Sequence, residues 1–421
     1  MPHLSALTRF SKGRNTVVLV VAGVGVIGMA ALTLSHAATS STSKEAESGT
    51  VSSAAGVITD TSASGSQAVK FGAGGDQSTT CDLNATTTNF SAQVSAATAG
   101  QTLCLASGTY SFSGTNKAIT ITKQSGATVN LDYFSFGNGD SDFTLDGLRI
   151  PGGDITAGAN HITIKNSVIT AQIHMATTGT NAAIVIDHND VGNFITDPTV
   201  CAETPAMLQV SSSTGPGDVT ISNNVIHDTN LDGVRVDSSS GATVINNEFY
   251  NVTEDGANDC HHTDSIQFYG GENVIVHGNY FHDNQDGIVA FDGTANNQIT
   301  NNVCANIDRG SCVSFYSDQN SLVEHNTAGP GMTELELDHK TADPAGSGTI
   351  FRNNVGDVSA ANGSTMSVNT HNLFSGASSP NISGSPVFAG GTSPTAWAGY
   401  KLASGSPGVG AATDGTNVGI N

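Results

Sequence analysis

The chain has 421 residues, and its 14 Lys and Arg against 36 Asp and Glu give a formal net charge of −22. Phosphate binding needs clustered Lys and Arg, so this balance argues against a nucleic-acid partner. The 49 glycines and the aromatic content of only 6% argue against a helical protein and favour many short strands separated by turns.

The N-terminal residues 1–37 have the pattern of an export signal. Arg9, Lys12 and Arg14 precede an uncharged apolar run over residues 16–34, and the small residues of "SHAATS" follow. We predict cleavage after Ala37. The alternative is a retained N-terminal anchor, because the run is almost long enough to span a bilayer. Either way the remainder is expected to be secreted or displayed at the cell surface, with membrane contact only through such an anchor.

Residues 38–80 are predicted to be a linker that contains a short strand-forming segment. Its sequence "EAESGTVSSAAGVITDTSASGSQAVKFG" resembles the opening of β-sandwich carbohydrate-binding modules. The segment is too short to bury the core of a sandwich, so we interpret it as a truncated module rather than a working sugar binder.

From residue 160 onwards one phrase recurs: an apolar residue, two variable residues, Asn, one variable residue and an apolar residue. The spacing is close to 23 residues in several intervals and longer in others, which indicates stacked coils with loops inserted into some of them. Asparagines at one turn of successive coils can form a ladder by bonding to each other and to turn backbone. The predicted ladder residues are Asn189, Asn224, Asn247, Asn279, Asn302, Asn326 and Asn354.

Over residues 81–421 this repeat resembles the right-handed parallel β-helix proteins of the pectin-lyase-like superfamily. The resemblance implies an all-β solenoid with an N-terminal cap, formed by a short helix near residues 90–97 and pinned by Cys81 and Cys104. Cys304 and Cys312 are expected inside one coil, either bridged or as buried thiols. For activity the superfamily leaves lyases, hydrolases, epimerases and inert adhesins open.

Alignment of the coils predicts which side chains share a face. Val234, Ile266, Ile288 and Cys312 are expected in an inward column, and Arg235, Gln267, Val289 and Val313 in the adjacent outward one. Gln209 is placed under Arg235. Just before these strands, three aspartates are expected in a solvent-facing file: Asp232, Asp264 and Asp286.

Two insertions, near residues 192–205 and 253–263, end just before strands of this surface and are predicted to form a cleft. Each carries one cysteine, so a Cys201–Cys260 bridge is expected to tie them together. His261 and His262 lie at the end of the second insertion, two or three residues from Asp264.

This surface predicts calcium-assisted β-elimination, or C5 epimerisation, of an acidic polysaccharide such as pectate or alginate. The hypothesis gives Ca²⁺ to the three aspartates of the file and substrate binding to Gln209, Gln267 and Asp237. Its catalytic residues are Arg235, Asp264, His261 and His262. The alternatives are a glycoside hydrolase that uses paired carboxylates and a non-catalytic glycan-binding solenoid in which the aspartates are turn residues. The protein is expected to be a monomer.

Overall fold

The computed structural model describes residues 55–59, 67–71, 80–176, 182–197, 206–213, 215, 217–238, 240–255, 262–331 and 334–421. The predicted export signal, most of the linker, Cys201, Cys260 and His261 lie outside these residues. Within the described part, no helix is both long enough and apolar enough to cross a membrane. Strands β1 (Ala55–Thr59) and β2 (Gln67–Phe71) form a two-stranded sheet of their own.

The rest of the described chain is a three-sided solenoid of parallel strands, which confirms the predicted right-handed parallel β-helix. Sheet I comprises β3 (Leu83–Ala85), β4 (Thr102–Leu105), β6 (Thr120–Lys123), β9 (Thr144–Asp146), β12 (Thr163–Lys165), β15 (Ile184–Asp187), β18 (Val219–Ser222), β21 (Thr243–Ile245), β24 (Ile275–His277), β27 (Gln298–Thr300), β30 (Leu322–Glu324), β33 (Ile350–Arg352) and β35 (Val368–Thr370).

Each coil continues from sheet I into sheet II and then into sheet III. Sheet II comprises β5 (Gly108–Tyr110), β7 (Val129–Leu131), β10 (Arg149–Ile150), β13 (Val168–Ile169), β16 (Asp190–Phe194), β19 (Val225–Thr229), β22 (Glu248–Val252), β25 (Tyr280–His282), β28 (Val303–Ala305) and β31 (Thr327–Ala328). Sheet III comprises β8 (Phe134–Phe136), β11 (Gly153–Ile155), β14 (Ile173–Ala176), β17 (Ala206–Ser211), β20 (Asp232–Asp237), β23 (Asp264–Tyr269), β26 (Asp286–Phe291), β29 (Val313–Tyr316), β32 (Glu334–Asp338) and β34 (Asp357–Ala360).

The core consists of columns of side chains that point inward from equivalent strand positions. Residues alternate between faces along a strand, so one apolar position per strand repeats from coil to coil. Burial of each such side chain contributes about 1.5–3 kcal/mol. In sheet I one fully buried column runs through Ile164, Ile186, Ile221, Val244, Val276, Ile299, Val323 and Phe351.

The predicted asparagine ladder is confirmed at the turn between sheets I and II. Asn279 Oδ1 accepts from the backbone N–H of Asn247 at 2.9 Å and from its Nδ2 at 3.0 Å. Asn279 Nδ2 in turn donates to Val244 O at 2.9 Å and to Asn302 Oδ1 at 3.0 Å. The ladder begins at Ser167, whose N–H donates to Asn189, and extends to Asn372 and Asn381. It therefore satisfies turn backbone that the buried corner hides from water.

The residue before each ladder asparagine from Asn189 to Asn372 takes a left-handed backbone conformation. Asn223, Asn246 and Asn301 have φ of 54°, 54° and 55°, and Gly278 has φ of 68°. Only Gly adopts this region without cost, and Asn tolerates it better than most residues. This requirement explains why Asn or Gly precedes the ladder asparagine at five of these turns, while His188, His325 and His371 adopt the same conformation at the other three.

A helix covers the N-terminal end of the solenoid, and the C-terminal tail packs against sheet II. Helix α1 (Phe90–Ala96) buries Phe90 against the first coils, and Lys117 Nζ donates to carbonyls at the C-terminal end of this helix. The Cys81–Cys104 disulfide is confirmed, and Cys304–Cys312 is bridged. The tail contains β36 (Leu373–Phe374), β37 (Ile382–Ser383) and a 3₁₀ helix (Trp397–Tyr400), and its buried apolar residues form a second core cluster with Tyr280, Val303 and Ala305 of sheet II.

We expect Asn279→Ala to lower the free energy of unfolding by at least about 2 kcal/mol, because it leaves buried ladder groups of the neighbouring coils unpaired. Urea unfolding followed by circular dichroism measures this loss. The matched control is Asn273→Gly, an exposed turn residue with φ of 58° outside the ladder. It should change stability by no more than about 0.5 kcal/mol. Equal losses in the two variants would contradict a structural role for the ladder.

Candidate functional site

The predicted surface lies on the outside of sheet III. Its strand register matches the sequence alignment in every coil except that of β29. Val234 pairs with Ile266 and Ile266 with Ile288, but Ile288 pairs with Val313 rather than with Cys312. The chain between β28 and β29 is longer than that between β25 and β26. Strand residues of β29 therefore lie one position later in the sequence than the alignment assumed. The outward column is therefore Gln209, Arg235, Gln267, Val289 and Ser314.

The three aspartates stand at equivalent positions of successive coils, but the expectation that they face solvent is wrong. Asp232 and Asp264 are 0% exposed, and Asp286 is 7% exposed. The backbone N–H of Asp264 donates to Asp232 Oδ1 at 2.9 Å. Asp264 Oδ2 accepts from Gln267 Nε2 at 3.0 Å. Strand starts lie in the angle between two sheets, where neighbouring coils and turns cover short side chains.

Burial makes these carboxyls hard to ionise. It raises the pKa of Asp232 well above its usual value, and the adjacent charge of Asp264 raises it further. Burial likewise raises the pKa of Asp264, although a hydrogen bond from His262 opposes this effect. Asp232 Oδ2 and Asp264 Oδ1 are buried and have no hydrogen-bond partner among the described residues. The two carboxyls therefore favour proton sharing over a second negative charge.

His262 lies at the rim of the site and is held by this buried pair. Its Nδ1 is 3.3 Å from Asp264 Oδ2, while its side chain is 52% exposed. The hydrogen bond to Asp264 raises the pKa of His262 to about 9, and the charge of Asp264 and of Asp286 adds to the effect. His262 is therefore an imidazolium at neutral pH, with one edge anchored and the other accessible.

Next to His262 opens a cavity of about 270 Å³, which we call the cleft. It is lined by His262, Asp286, Val289, Phe291, Arg309, Gly310, Ser311, Ser314, Tyr316, Glu334 and Glu336. Burial, followed by the charge of Asp264, raises the pKa of Asp286 to about 6. A Cβ at Gly310 would lie 1.1 Å from Asp286 Oδ1, so only glycine leaves room for this carboxyl.

Two further groups supply charge to the cleft. Arg309 Nη1 donates to Glu254 Oε2 at 2.8 Å, and its side chain remains 57% exposed. Glu336 Oε1 accepts from Ser314 Oγ at 2.7 Å and from Ser311 Oγ at 3.2 Å. The cleft therefore contains cations and carboxyls together, a combination that acid–base chemistry on a charged substrate requires.

Aromatic rings form one wall of the cleft. Phe291 and Tyr316 stack at 4.5 Å, and Phe291 pairs in register with Tyr269 in the coil below. Burial, and then the charge of Glu336, raises the pKa of Tyr316 to about 12, so its phenol stays protonated. Sequence reasoning missed Phe291, Arg309, Ser311, Ser314, Tyr316, Glu334 and Glu336. In the observed register the outward column continues from Val289 to Ser314 and Glu336, whereas the sequence alignment placed Val313 there and so missed both.

The residues predicted around Arg235 lie together one to two coils below the cleft. Arg235 Nε donates to Asp237 Oδ1 at 2.6 Å, and its guanidinium lies 4.8 Å from the ring centroid of Tyr269. Gln209 Nε2 donates to Asp237 Oδ2 at 2.6 Å. Gln267 is almost fully buried and supports Asp264. Arg235 is thus an anchored cation beside the cleft rather than part of its lining.

The geometry gives little support to the predicted calcium site at Asp232, Asp264 and Asp286. The unpartnered oxygens of Asp232 and Asp264 are the kind of ligand that Ca²⁺ accepts, but Ca²⁺ takes about six to eight oxygens. Among the described residues, no group of three or more His, Cys, Asp and Glu is arranged to hold a metal ion. The side chains present do not by themselves fit a calcium site.

The family model described as "Right handed beta helix region" matches residues 155–331 and 232–393, which together exceed half of the chain. The chain belongs to this right-handed β-helix family. Its fold is of the pectin-lyase-like type, as predicted. No curated protein sequence matches the chain.

Solved structures to which the chain is similar include an alginate lyase, a mannuronan C-5 epimerase module and a pectate lyase. A variant of the PL6 family alginate lyase AlyGC is 15% identical, with a TM-score of 0.51 over 80% of this chain, and the chain spans 58% of that enzyme's length. The Azotobacter vinelandii mannuronan C-5 epimerase AlgE4 A-module is 14% identical, with a TM-score of 0.39 over 69% of this chain and 94% of the module. Pectate lyase Pel9A is 14% identical, with a TM-score of 0.35 over 79% of this chain and 91% of that enzyme. At 15% identity the likeness to the AlyGC variant supports the fold alone.

The pKa of His262 can be tested directly by nuclear magnetic resonance titration of its imidazole. We expect a midpoint near pH 9, and a fall towards the ordinary value of about 6.5 in Asp264→Asn. Asp286→Asn should lower the midpoint less, because it removes only a charge effect. Since the folded pKa is raised, this interaction stabilises the fold fully below about pH 6.5 and is lost as pH rises through about 9. A midpoint near 6.5 in the unmodified protein would contradict the assigned hydrogen bond.

Proposed function

We propose that the protein cleaves an acidic polysaccharide by β-elimination in the cleft. The observation that carries the proposal is the placement of Asp286, a carboxyl with a pKa of about 6, in one cavity with the imidazolium of His262 and the guanidinium of Arg309. A uronate needs its C6 carboxylate neutralised before a base can remove the C5 proton. The cleft offers a base that is ionised at neutral pH and two cations beside it.

The proposed step assigns one role to each of these groups. Arg309 binds the C6 carboxylate of the uronate. Ionised Asp286 takes the C5 proton, and the electron pair of the broken C–H bond forms the C4–C5 double bond. The C4–O4 bond breaks, and the leaving oxygen takes a proton from the imidazolium of His262. Asp286 then loses its proton to solvent and His262 regains one, which restores the starting state.

Other residues of the predicted site serve these groups. Asp264 positions His262 through the 3.3 Å contact and keeps it protonated, and Gln267 orients Asp264. Arg235, fixed by Asp237 and Gln209, is suited to bind a flanking uronate of the same glycan. The catalytic role predicted for His261, which lies outside the described residues, stays a prediction. Return of a proton to the opposite face of C5 would instead give epimerisation without chain cleavage.

Hydrolysis is the second candidate, favoured by the presence of Glu336 in the same cleft. Asp286, with its raised pKa, would act as the general acid, and Glu336 would be the second carboxylate. The two reactions need opposite protonation states of Asp286, so pH dependence separates them. In both readings the protein is an exported monomer that acts on a glycan outside the cytoplasm.

A panel of polyuronates (pectate and the mannuronate and guluronate forms of alginate) tests the reaction. Elimination gives the ultraviolet absorbance of an unsaturated uronide, whereas hydrolysis gives reducing ends without it. For elimination, kcat/KM should rise with pH through about 6, as Asp286 ionises, and fall through about 9, as His262 loses its proton. A fall through about 6 favours hydrolysis. Binding of a polyuronate without any product would favour the alternative that the protein is a non-catalytic glycan-binding solenoid.

The same assay tests calcium. Because Arg309 can neutralise the substrate carboxylate, we expect cleavage to persist in a calcium chelator. Loss of cleavage that is restored by added Ca²⁺ would show that the neutralising charge comes from a metal ion instead.

Two substitutions test the role of Asp286. Asp286→Asn should lower kcat by about 10²–10⁴-fold, the usual contribution of a positioned acid or base. Gly310→Ala should also lower kcat, because its new Cβ displaces the Asp286 carboxyl. Gly215→Ala is the matched control, since a Cβ there meets no atom within 4 Å. Full activity in Asp286→Asn, with its melting temperature unchanged, would remove Asp286 from the mechanism.

A further inference from the structure

A second cavity, of about 570 Å³, lies away from the cleft, where the C-terminal tail crosses the corner between sheets I and II. Its principal lining side chains are Asn246, Glu248, His277, Tyr280, Asn301 and Trp397. These residues come from three successive coils and from the tail 3₁₀ helix. The volume lies within the range of about 300–1,000 Å³ that is typical of small-ligand sites.

The aromatic side chains of this cavity are fixed in place. Trp397 Nε1 donates to Asn301 O at 3.0 Å, which ties the tail to the corner. Tyr280 is 8% exposed, and its ring stacks on His282 at 4.4 Å. A rigid, half-buried Trp offers an amphipathic surface on which a sugar ring can pack at little entropic cost.

Polar groups surround this aromatic surface. Asn246 is exposed, and Gly278 in the next coil makes room for it, because a Cβ there would lie 2.5 Å from Asn246 Oδ1. Glu248 Oε1 accepts from His282 Nε2 at 3.1 Å, which orients the carboxylate. Amide and carboxylate groups of this kind can bond to neighbouring hydroxyls of a sugar.

We propose that this cavity is a second glycan-binding site, which takes a neutral oligosaccharide. Its lining residues include a carboxylate but neither Lys nor Arg, so they favour hydroxyls over the carboxylates of a uronate. The ammonium of Lys401 lies 5.5 Å from the ring centroid of Trp397 and is not among the lining residues. The site differs from the cleft in its sheet, its charge and its ligand, and its existence does not depend on the proposed elimination.

The composition of the chain makes the test direct, because Trp397 is its single tryptophan. We would titrate the full protein with neutral gluco-, manno- and xylo-oligosaccharides, and separately with uronate oligosaccharides. Tryptophan emission and calorimetry would be recorded together. A neutral oligosaccharide is expected to change the emission and to give saturable heat. Absence of both signals with every neutral oligosaccharide, or a response of Trp397 to uronates alone, would overturn the proposal.

A pair of matched turn variants locates the binding. Asn246→Gly removes the lining amide at a position with φ of 54°. It should raise the Kd for the neutral oligosaccharide at least about tenfold. Asn273→Gly makes the same change at φ of 58° outside the cavity and should leave this Kd unchanged. Glu248→Gln should also weaken binding, through loss of an ionised acceptor. Equal affinity in Asn246→Gly and in the unmodified protein would place any bound sugar elsewhere.

Discussion

The register of coil upon coil is the constraint on which the rest of this molecule depends. The asparagine ladder fixes it at one corner, where each side-chain amide bonds to the coils on both sides and satisfies buried turn backbone. Once that corner is fixed, the pleat decides which residues enter the core and which face outward. A shift of one residue reverses these faces. Val313, for example, was expected to face outward but pairs with the inward-facing Ile288.

On sheet III this register brings like charges together. Three aspartates at equivalent positions would be unfavourable as three buried anions, since neighbouring strands are only about 4.8 Å apart. Burial raises the pKa of all three, and His262 supplies a compensating positive charge. Asp286 differs from the other two because it opens onto the cleft. Asp286 is therefore the aspartate of the file that both has a raised pKa and lines the cleft, where a substrate could reach it.

The two cavities differ in the same physical terms. The cleft contains the cations of His262 and Arg309 beside the Asp286 carboxyl, whose pKa is about 6, and this combination suits chemistry on a charged glycan. The cavity at the tail has a fixed aromatic surface and amides, which suits recognition without chemistry. The two cavities share no lining residue, so a substitution in one leaves the lining of the other unchanged.

The sequence by itself determined the solenoid, its asparagine ladder, the cap disulfide and the pairing of Gln209 with Arg235. The solenoid, the ladder and the Gln209–Arg235 pairing follow from a local period and from alternation along strands, both visible in the order of residues, whereas the cap disulfide followed from the family resemblance. It also located Asp264 and His262, because the inserted loop ends beside them. Only the tertiary structure decided that Asp232 and Asp264 are buried, and that Arg309 and Glu254 meet. It alone brought Trp397 to Asn301. Burial and such contacts depend on turn lengths and on how distant segments fold over one another, and no local period records either.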